Sequence, residues 1–208
     1  MPINMFSAQG RRLLGSAVLA VLIIANVVGA APGSNKTTSV STRPAIHIDN
    51  FSRVDEQLYR GSQPRGRDFA DLKALGIKTI VNLTSDDADP TEQALTEAAG
   101  MTYVSIPMTT RMVPTAVQIA QFLSLVNDPE GQPVYVHCVG GRHRTGVMTA
   151  IYRMTHDGWS GDQAFKEMKQ FKYGADFLHP EFKDFVYGYR PEFVAEDAAA
   201  PADTAAQH

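Results

Sequence analysis

The sequence of 208 residues is short of several features, and each shortage excludes a class of protein. It has a single cysteine, so it cannot form an internal disulfide, and it lacks the cysteine pairs of a familiar zinc site. Its formal net charge is −3, whereas a general nucleic-acid-binding domain is more often basic. No internal repeat is visible, and only one long hydrophobic run is present. We therefore expect neither a disulfide-stabilised scaffold nor a nucleic-acid partner.

The one long hydrophobic run lies in residues 1–31, which have the composition of a targeting segment. Arg11 and Arg12 precede an uncharged stretch, LLGSAVLAVLIIANVV, which is followed by small residues of the kind that signal peptidase accepts. No residue between 13 and 35 is charged, so the segment is also long enough to span a bilayer. The sequence predicts an exported protein, periplasmic or secreted. Its N-terminal segment is either a cleaved signal peptide or a membrane anchor formed by residues 13–31.

Two polar segments flank a single predicted domain. Residues 32–45 are rich in Pro, Gly, Ser and Thr and are predicted to be a linker. Residues 195–208 have no large apolar side chain and are predicted to be a disordered tail. Residues 46–194 between them are enough for one domain with one core. Without Arg11 and Arg12, the 19 basic residues fall to 17 against 22 acidic residues, which leaves the exported part with a net charge of −5.

Predicted strands and helices alternate along this domain. Apolar, β-rich segments predict strands at 58–61, 77–83, 101–108 and 133–137. Helical spacing and helix-ending residues predict helices at 67–76, 90–99, 114–128, 160–172 and 180–188, with a further helix that begins near Thr145. This alternation indicates an α/β fold with a central, mainly parallel sheet flanked by helices. In such sheets, sites form beyond the carboxyl ends of the strands, and Cys138 directly follows one of these ends.

The predicted helix 114–128 has a broad apolar face. Pro114 is expected to open the helix, because proline is favoured at the first helical position. The apolar face is predicted to comprise Val117, Phe122, Leu125 and Val126. We expect this face to pack against the sheet.

The loop around Cys138 combines residues that suit an anion. It comprises Cys138, Val139, Gly140, Gly141, Arg142, His143 and Arg144. Short loops with glycine let successive backbone N–H groups point into one concavity, and the following helix adds the positive end of its dipole. These positive groups favour the thiolate, which is the nucleophilic form of cysteine. Arg144 can offer two parallel hydrogen bonds to a phosphate group, and Thr145 supplies a hydroxyl near the sulfur. We predict that Cys138 attacks phosphorus and that residues 139–144 bind the phosphate.

The string HCVGGRHRTG, residues 137–146, resembles the signature loop of the cysteine-based protein tyrosine and dual-specificity phosphatases. It is similar in particular to the atypical dual-specificity branch of plants, fungi and bacteria, whose signature is close to HCxxGKHRTG; here Arg142 replaces the lysine. The segments LYRGSQP, IKTIVNL and YVSIPM also resemble that branch. The resemblance implies that Cys138 is the nucleophile, Arg144 the phosphate clamp and Thr145 the hydroxyl that assists departure of the thiolate. It also implies a phosphocysteine intermediate, and no metal or other cofactor.

The general acid is where this sequence departs from the family. Members commonly carry an aspartate on a loop before the cysteine, but the matching residues 109–113 hold no carboxylate. Asp128 is close in sequence, yet it precedes the strand 133–137 and so belongs at the wrong edge of the sheet. Asp86, Asp87 and Asp89 follow the strand 77–83 at the correct edge. We favour Asp86 or Asp87 as the acid that protonates the leaving oxygen. Capping of the next helix is an equal alternative for each of them, and water or His143 is the remaining proton source.

Two further residues are assigned supporting positions. His137 is expected to orient the loop through hydrogen bonds and to support the thiolate. Arg60, in LYRGSQP, is expected to border the pocket, with a surface ion pair as the alternative.

Taken together, these residues predict a phosphomonoester hydrolase. Its substrate would be phosphotyrosine or phosphoserine/threonine in proteins, or an inositol polyphosphate. A basic rim of Arg142, His143 and Arg144, with Arg111 as a further candidate, would suit a polyanion in an acidic protein. The alternative function is a catalytically weak module that binds phosphorylated ligands on a phosphatase fold.

Overall fold

The structure, a computed structural model, describes residues 45–85 and 87–191. The predicted targeting segment 1–31 and the predicted tail 195–208 lie outside the described residues. Residues 32–44 of the predicted linker and the candidate acid Asp86 also lie outside them. Within the described ranges, no helix is long and apolar enough to cross a membrane.

Within the described residues, five strands form one sheet in the order β1-β2-β5-β3-β4. Their bounds are β1, Ser52–Arg53; β2, Leu58–Ser62; β3, Thr79–Asn82; β4, Thr102–Ser105; and β5, Val134–Cys138. Strand β1 pairs antiparallel with β2, and every other pair is parallel. The predicted α/β fold with a mainly parallel sheet is therefore confirmed. The short edge strand β1 was not predicted, because two residues carry no periodic signal.

Helices cover both faces of the sheet. Their bounds are α1, Asp68–Leu75; α2, Glu92–Ala98; α3, Ala116–Asn127; α4, His143–His156; α5, Gly161–Gln170; and α6, Pro180–Gly188; a 3-10 helix spans Asp176–Leu178. Helix α4 lies at the centre of one layer, where it contacts β5, α3, α5 and α6. Phe69 and Leu72 of α1 pack into a separate apolar cluster with Ile80 and Tyr135 of the sheet. The helices were placed correctly to within about two residues, the usual uncertainty of helix ends.

The central strand β5 contributes side chains to both layers. Val134, Val136 and Cys138 belong to the larger cluster around α4, whereas Tyr135 belongs to the smaller cluster beside α1. This division follows from the strand period of two, which points successive side chains to opposite faces. His137 stacks on Tyr135, with the ring centroids 5.8 Å apart. The side chains of His137 and Cys138 therefore lie on opposite faces of the sheet.

Helix α3 differs from its prediction in two details. It begins at Ala116, because Thr115 forms a capping box in which its hydroxyl accepts a hydrogen bond from the Gln118 backbone N–H at 3.2 Å. The prediction that Val117 belongs to the apolar face was wrong, since its exposed fraction is 70%. Residues on a helix rotate by about 100° each, which places position 117 opposite the buried Val126.

Two substitutions of the same kind on α3 test this orientation. Val126→Ala should lower the free energy of unfolding by about 2 kcal/mol, because it removes two buried methyl groups and leaves a cavity. Val117→Ala should change it by less than about 0.5 kcal/mol, since the side chain is solvent-exposed. Urea denaturation of the two variants measures the difference. Equal losses of unfolding free energy in the two variants would contradict the assignment of Val126 to the buried face of α3.

Candidate active site

A cleft of about 360 Å³ opens at the carboxyl edge of the parallel strands. It is lined by loop residues 138–140 and 142–144, together with Asp87 and Thr110. The structure thus brings together most of the residues that the sequence singled out. Gly141 and Thr145 are the exceptions in the loop region, since they lie behind this lining and are buried.

Three successive carbonyl groups of the loop are held from outside by residues 50–63. The hydrogen bonds run from Asn50 Nδ2 to Gly140 O at 2.7 Å, from Arg60 Nη2 to Gly141 O at 3.0 Å and from the Gln63 backbone N–H to Val139 O at 3.2 Å. In a trans peptide the C=O and N–H groups point in opposite directions. Holding these carbonyls away from the cleft therefore turns the following N–H groups toward it, which is the geometry of an anion-binding nest.

Gly141 is the residue that brings the loop close to strand β2. Its φ is +63°, in the left-handed region that favours glycine. A Cβ atom at this position would lie 2.7 Å from the Ser62 backbone nitrogen and closer still to the carbonyl group of Gly61. Gly61 is restricted in turn, because a Cβ there would overlap the Tyr135 hydroxyl. The second glycine of the signature is therefore required by backbone packing.

Arg144 makes a bidentate ion pair with Asp87. Its Nη1 and Nη2 atoms donate to Asp87 Oδ1 and Oδ2 at 2.8 and 2.6 Å, and Nη1 also donates to Met108 O at 3.1 Å. Hydrogen bonding from Arg144 lowers the pKa of Asp87 below its ordinary value. Burial opposes the charge of Arg144, but the bonds to Asp87 and the nearby Cys138 sulfur raise the pKa of the guanidinium above its ordinary value. The pair is ionised at neutral pH, and its stabilising effect is lost only as the pH falls through the lowered pKa of Asp87.

Arg60 supports the loop from behind. Its side chain is fully buried, and its guanidinium lies 3.8 Å from the centroid of the Phe171 ring. Burial lowers the pKa of Arg60 to about 10, partly offset by Glu167 and Cys138, so the group remains charged at neutral pH. The alternative of a surface ion pair is wrong. Arg60 also does not border the cleft; it fixes the carbonyl of Gly141 on the far side.

His137 is also buried, and its partner was not predicted. Its Nε2 atom lies 2.5 Å from Glu92 Oε1, and both side chains are at most 1% exposed. Nothing in the sequence marked Glu92, because an acidic residue in the first turn of a helix is common and is explained by the helix dipole. Only the three-dimensional structure shows that this carboxylate faces inward.

His143 lies at the rim with its ring already engaged. Its Nε2 atom is 2.8 Å from the carbonyl oxygen of Tyr173, and its ring centroid is 3.8 Å from that of His179. A carbonyl oxygen can only accept, so Nε2 must be the donor. Burial lowers the pKa of His143, with His179 and neighbouring arginines acting in the same direction. The ring is therefore neutral at neutral pH, with its proton committed to Tyr173.

The candidate acids occupy different places. Asp87 is the one carboxylate of the described residues that lines the cleft. Asp89 accepts hydrogen bonds from the backbone N–H and the hydroxyl of Thr91 at 2.9 and 2.7 Å, in the turn before α2, and α2 itself has no side-chain cap. Asp128 ends α3 beside Gly131, at the amino end of β5, as predicted. Asp86 lies outside the described residues.

Comparison with known proteins agrees with this site. Residues 38–181 match the family described as "DSP-PTPase phosphatase fused to NAD+ Kinase". The dual specificity protein phosphatase TpbA of Pseudomonas aeruginosa is 29% identical over 163 residues, which cover 78% of this chain and 73% of TpbA. The inositol diphosphatase SIW14 of Saccharomyces cerevisiae is 27% identical over 144 residues, which cover 67% of this chain and 51% of SIW14. The matched family covers more than half of the chain.

Solved structures give the same result for the fold. The crystal structure of TpbA superposes with a TM-score of 0.61 at 27% identity and covers 77% of this chain and 99% of TpbA. The catalytic core of SIW14 in complex with citrate superposes with a TM-score of 0.62 at 24% identity, covering 74% of this chain and 94% of that core. At this identity the second likeness shows the fold alone. The chain belongs to the family of cysteine-dependent phosphatases of the dual-specificity type.

The close contact between Gly141 and β2 yields a prediction with a control in the same loop. Gly141→Ala should lower kcat/KM by at least about 100-fold, because a positive φ and the overlap with Gly61 force the nest out of shape. Gly140→Ala should retain most activity, since its Cβ would lie 3.4 Å from Arg142 Nε. The measurement is kcat/KM of both variants with para-nitrophenyl phosphate. Thermal unfolding of both variants is measured beside it. Equal activity of the two variants would contradict the packing argument.

Proposed function

We propose that this chain hydrolyses phosphomonoesters through a phosphocysteine intermediate on Cys138. One observation carries the proposal: Cys138 and Arg144 line the same cleft, under backbone N–H groups turned inward by anchored carbonyls. These are a nucleophile, a fixed positive charge and donors for the phosphate oxygens. The signature loop at the N-terminus of α4 thus supplies the groups that an attack on phosphorus requires.

The proposed reaction has two steps. The Cys138 thiolate attacks phosphorus; the S–P bond forms as the bond to the leaving oxygen breaks, and that oxygen takes a proton from a general acid. Water then attacks phosphorus, the S–P bond breaks and inorganic phosphate leaves, while the water proton returns to the same carboxylate. Thr145, fully buried in the first turn of α4, is proposed to donate a hydrogen bond to the departing thiolate and keep its proton. Its Oγ1 atom has no hydrogen-bond partner within the described residues.

Asp87 is the proposed general acid. It lines the cleft beside Cys138, but Arg144 keeps it ionised in the free protein. A bound phosphate takes over the guanidinium of Arg144, and the released carboxylate, now beside a dianion, gains affinity for a proton. Asp86, its neighbour, is the second candidate. His143 is a poor proton source, since its ring is neutral and its N–H already faces Tyr173.

The substrate is proposed to be a phosphorylated protein or an inositol phosphate. A structure of TpbA in complex with pTyr supports the first class, and the name of the relative SIW14, an inositol diphosphatase, supports the second. In this chain Arg142 is exposed at the rim of the cleft, next to His143. A positive rim attracts additional anionic groups around the phosphate that is cleaved.

Export is part of the proposal. It is supported by the composition of residues 1–31, in which two arginines precede an uncharged apolar run. The segment would act as a signal peptide or as an anchor. N-terminal sequencing of the protein recovered from cell fractions would distinguish these, and recovery from the cytoplasm alone would exclude export.

The proposed nucleophile is tested with the full chain and para-nitrophenyl phosphate. We expect turnover that persists in excess chelator and is abolished in Cys138→Ser, because serine is a far weaker nucleophile in this site. Rapid acid quenching should trap phosphate on the single cysteine of the wild-type protein. A folded wild-type protein without turnover would contradict the proposal and favour the phosphate-binding module.

The proposed acid is tested by its dependence on the leaving group. Asp87→Asn should lower kcat for a phosphotyrosine peptide by about 100-fold, but lower kcat for para-nitrophenyl phosphate much less, because nitrophenolate leaves without a proton. Asp89→Asn, on the same loop, is the matched control and should change neither value; Asp86→Asn tests the second candidate. Equal losses on both substrates in Asp87→Asn would mean that Asp87 acts only on Arg144.

A further inference from the structure

Glu92 is a carboxylate in an unusual environment. It is the first residue of α2, yet it is 1% exposed, whereas acidic residues in the first turn of a helix normally face water. Its Oε1 atom contacts His137, and its Oε2 atom accepts hydrogen bonds from Asn82 Nδ2 at 2.9 Å and Gln63 Nε2 at 3.2 Å. The carboxylate therefore joins α2 to β3, β5 and the segment after β2, just below the edge that carries the cleft.

Burial of this carboxylate is costly without compensation. Removing an ionised carboxylate from water costs several kcal/mol unless opposite charge and hydrogen bonds replace the water. The two amide donors replace part of the hydration, and His137 is the ion-pair partner. Such an arrangement is not needed to fill a core, because an apolar side chain would fill the same space without the free-energy cost of burying a carboxylate. The cost points to a role for the pair beyond packing.

The pair fixes the position of His137. Its Nε2 atom and Glu92 Oε1 lie 2.5 Å apart in a buried ion-pair contact. The backbone of His137 is fixed as well, since its carbonyl accepts from the Leu83 backbone N–H at 2.9 Å within the central strand. Neither ring nitrogen has a hydrogen-bond partner in the described part of the chain, so the ring is held by the ion-pair contact of Nε2 with Glu92. Glu92 is thus the polar contact that orients the ring.

The imidazole lies between the carboxylate and the backbone that carries the nucleophile. His137 directly precedes Cys138, and Glu92 meets the ring at Nε2, the nitrogen farther from the backbone. A positive charge close to a cysteine favours the thiolate over the thiol, more strongly in a buried site where water screens little.

We propose that Glu92 is a positioning residue of the active site: its buried carboxylate holds the ring of His137 behind Cys138 and so favours the thiolate form of the nucleophile. This inference rests on the proposed role of Cys138. Glu92 touches neither the cleft nor the substrate and acts through His137.

Other titratable groups around the pair do not change charge between about pH 5 and pH 8. Burial raises the pKa of Tyr135 and of Tyr103 above 10, and Arg60 keeps its charge with a pKa of about 10. The carboxylates Asp68 and Asp89, which also act on these phenols, remain the same in every variant below. A difference between variants at about pH 5 to 8 therefore reports on the pair itself.

The test measures alkylation of the single cysteine by iodoacetamide as a function of pH, read by mass spectrometry of the full chain. Glu92→Gln keeps the size of the side chain but removes its charge, and should slow alkylation about 10-fold at pH 6, a displacement of the rate–pH curve by about one unit. Glu92→Asp, which keeps the charge, should recover part of this loss. The acidic limb of the kcat/KM profile should move in the same direction as the alkylation curve.

The control separates this role from simple stability. Thr96→Ala alters a fully buried position on the same helix and should leave the rate–pH curve unchanged, whatever its effect on the melting temperature. If Glu92→Gln lowered the melting temperature but gave the same curve as Thr96→Ala, the proposal would be overturned. Alkylation requires no turnover, so an inactive wild-type protein would refute the proposed function while the effect of Glu92 was still measured.

Discussion

The hydrogen bonds from residues 50–63 to three carbonyl groups of the loop are the constraint on which the rest of the site depends. They join positions as far apart as 81 and 90 residues in sequence. The glycines allow the loop to bend, but these donors decide which way its peptide groups point. The nest therefore exists only once β2 has paired with β5. The segment LYRGSQP is part of the site although none of its side chains lines the cleft.

Buried charge is distributed around the nucleophile in three places. Arg144 stands in the cleft, Arg60 lies behind the loop, and the pair of His137 and Glu92 occupies the opposite face of the sheet. Arg144 is held by Asp87, and Arg60 is held by the Gly141 carbonyl and the Phe171 ring. Such charges are strong because the interior screens them weakly, and they need a rigid scaffold to remain in place.

The sequence was sufficient for the features that depend on local pattern. The alternation of strands and helices, the place of Cys138 at a strand end and the placement of Asp87 at the same edge all followed from periodicity and topology. The inward orientation of Glu92 and the use of Arg60 as a backbone donor did not, because both depend on contacts between distant segments. Val117 was misassigned because counting apolar residues without their angular position cannot distinguish the two sides of a short helix.

The ion pair of Asp87 with Arg144 also bears on which anions the free protein can retain. An incoming anion does not enter an empty positive site; it exchanges with a carboxylate that already forms two hydrogen bonds to the guanidinium. A monoanion such as chloride or acetate brings no more charge than the carboxylate that it displaces, so the exchange gains little. A phosphate dianion brings more charge and fills the nest as well. Asp87 thereby acts as an internal competitor that favours phosphate esters over the abundant monovalent anions of the surrounding solution.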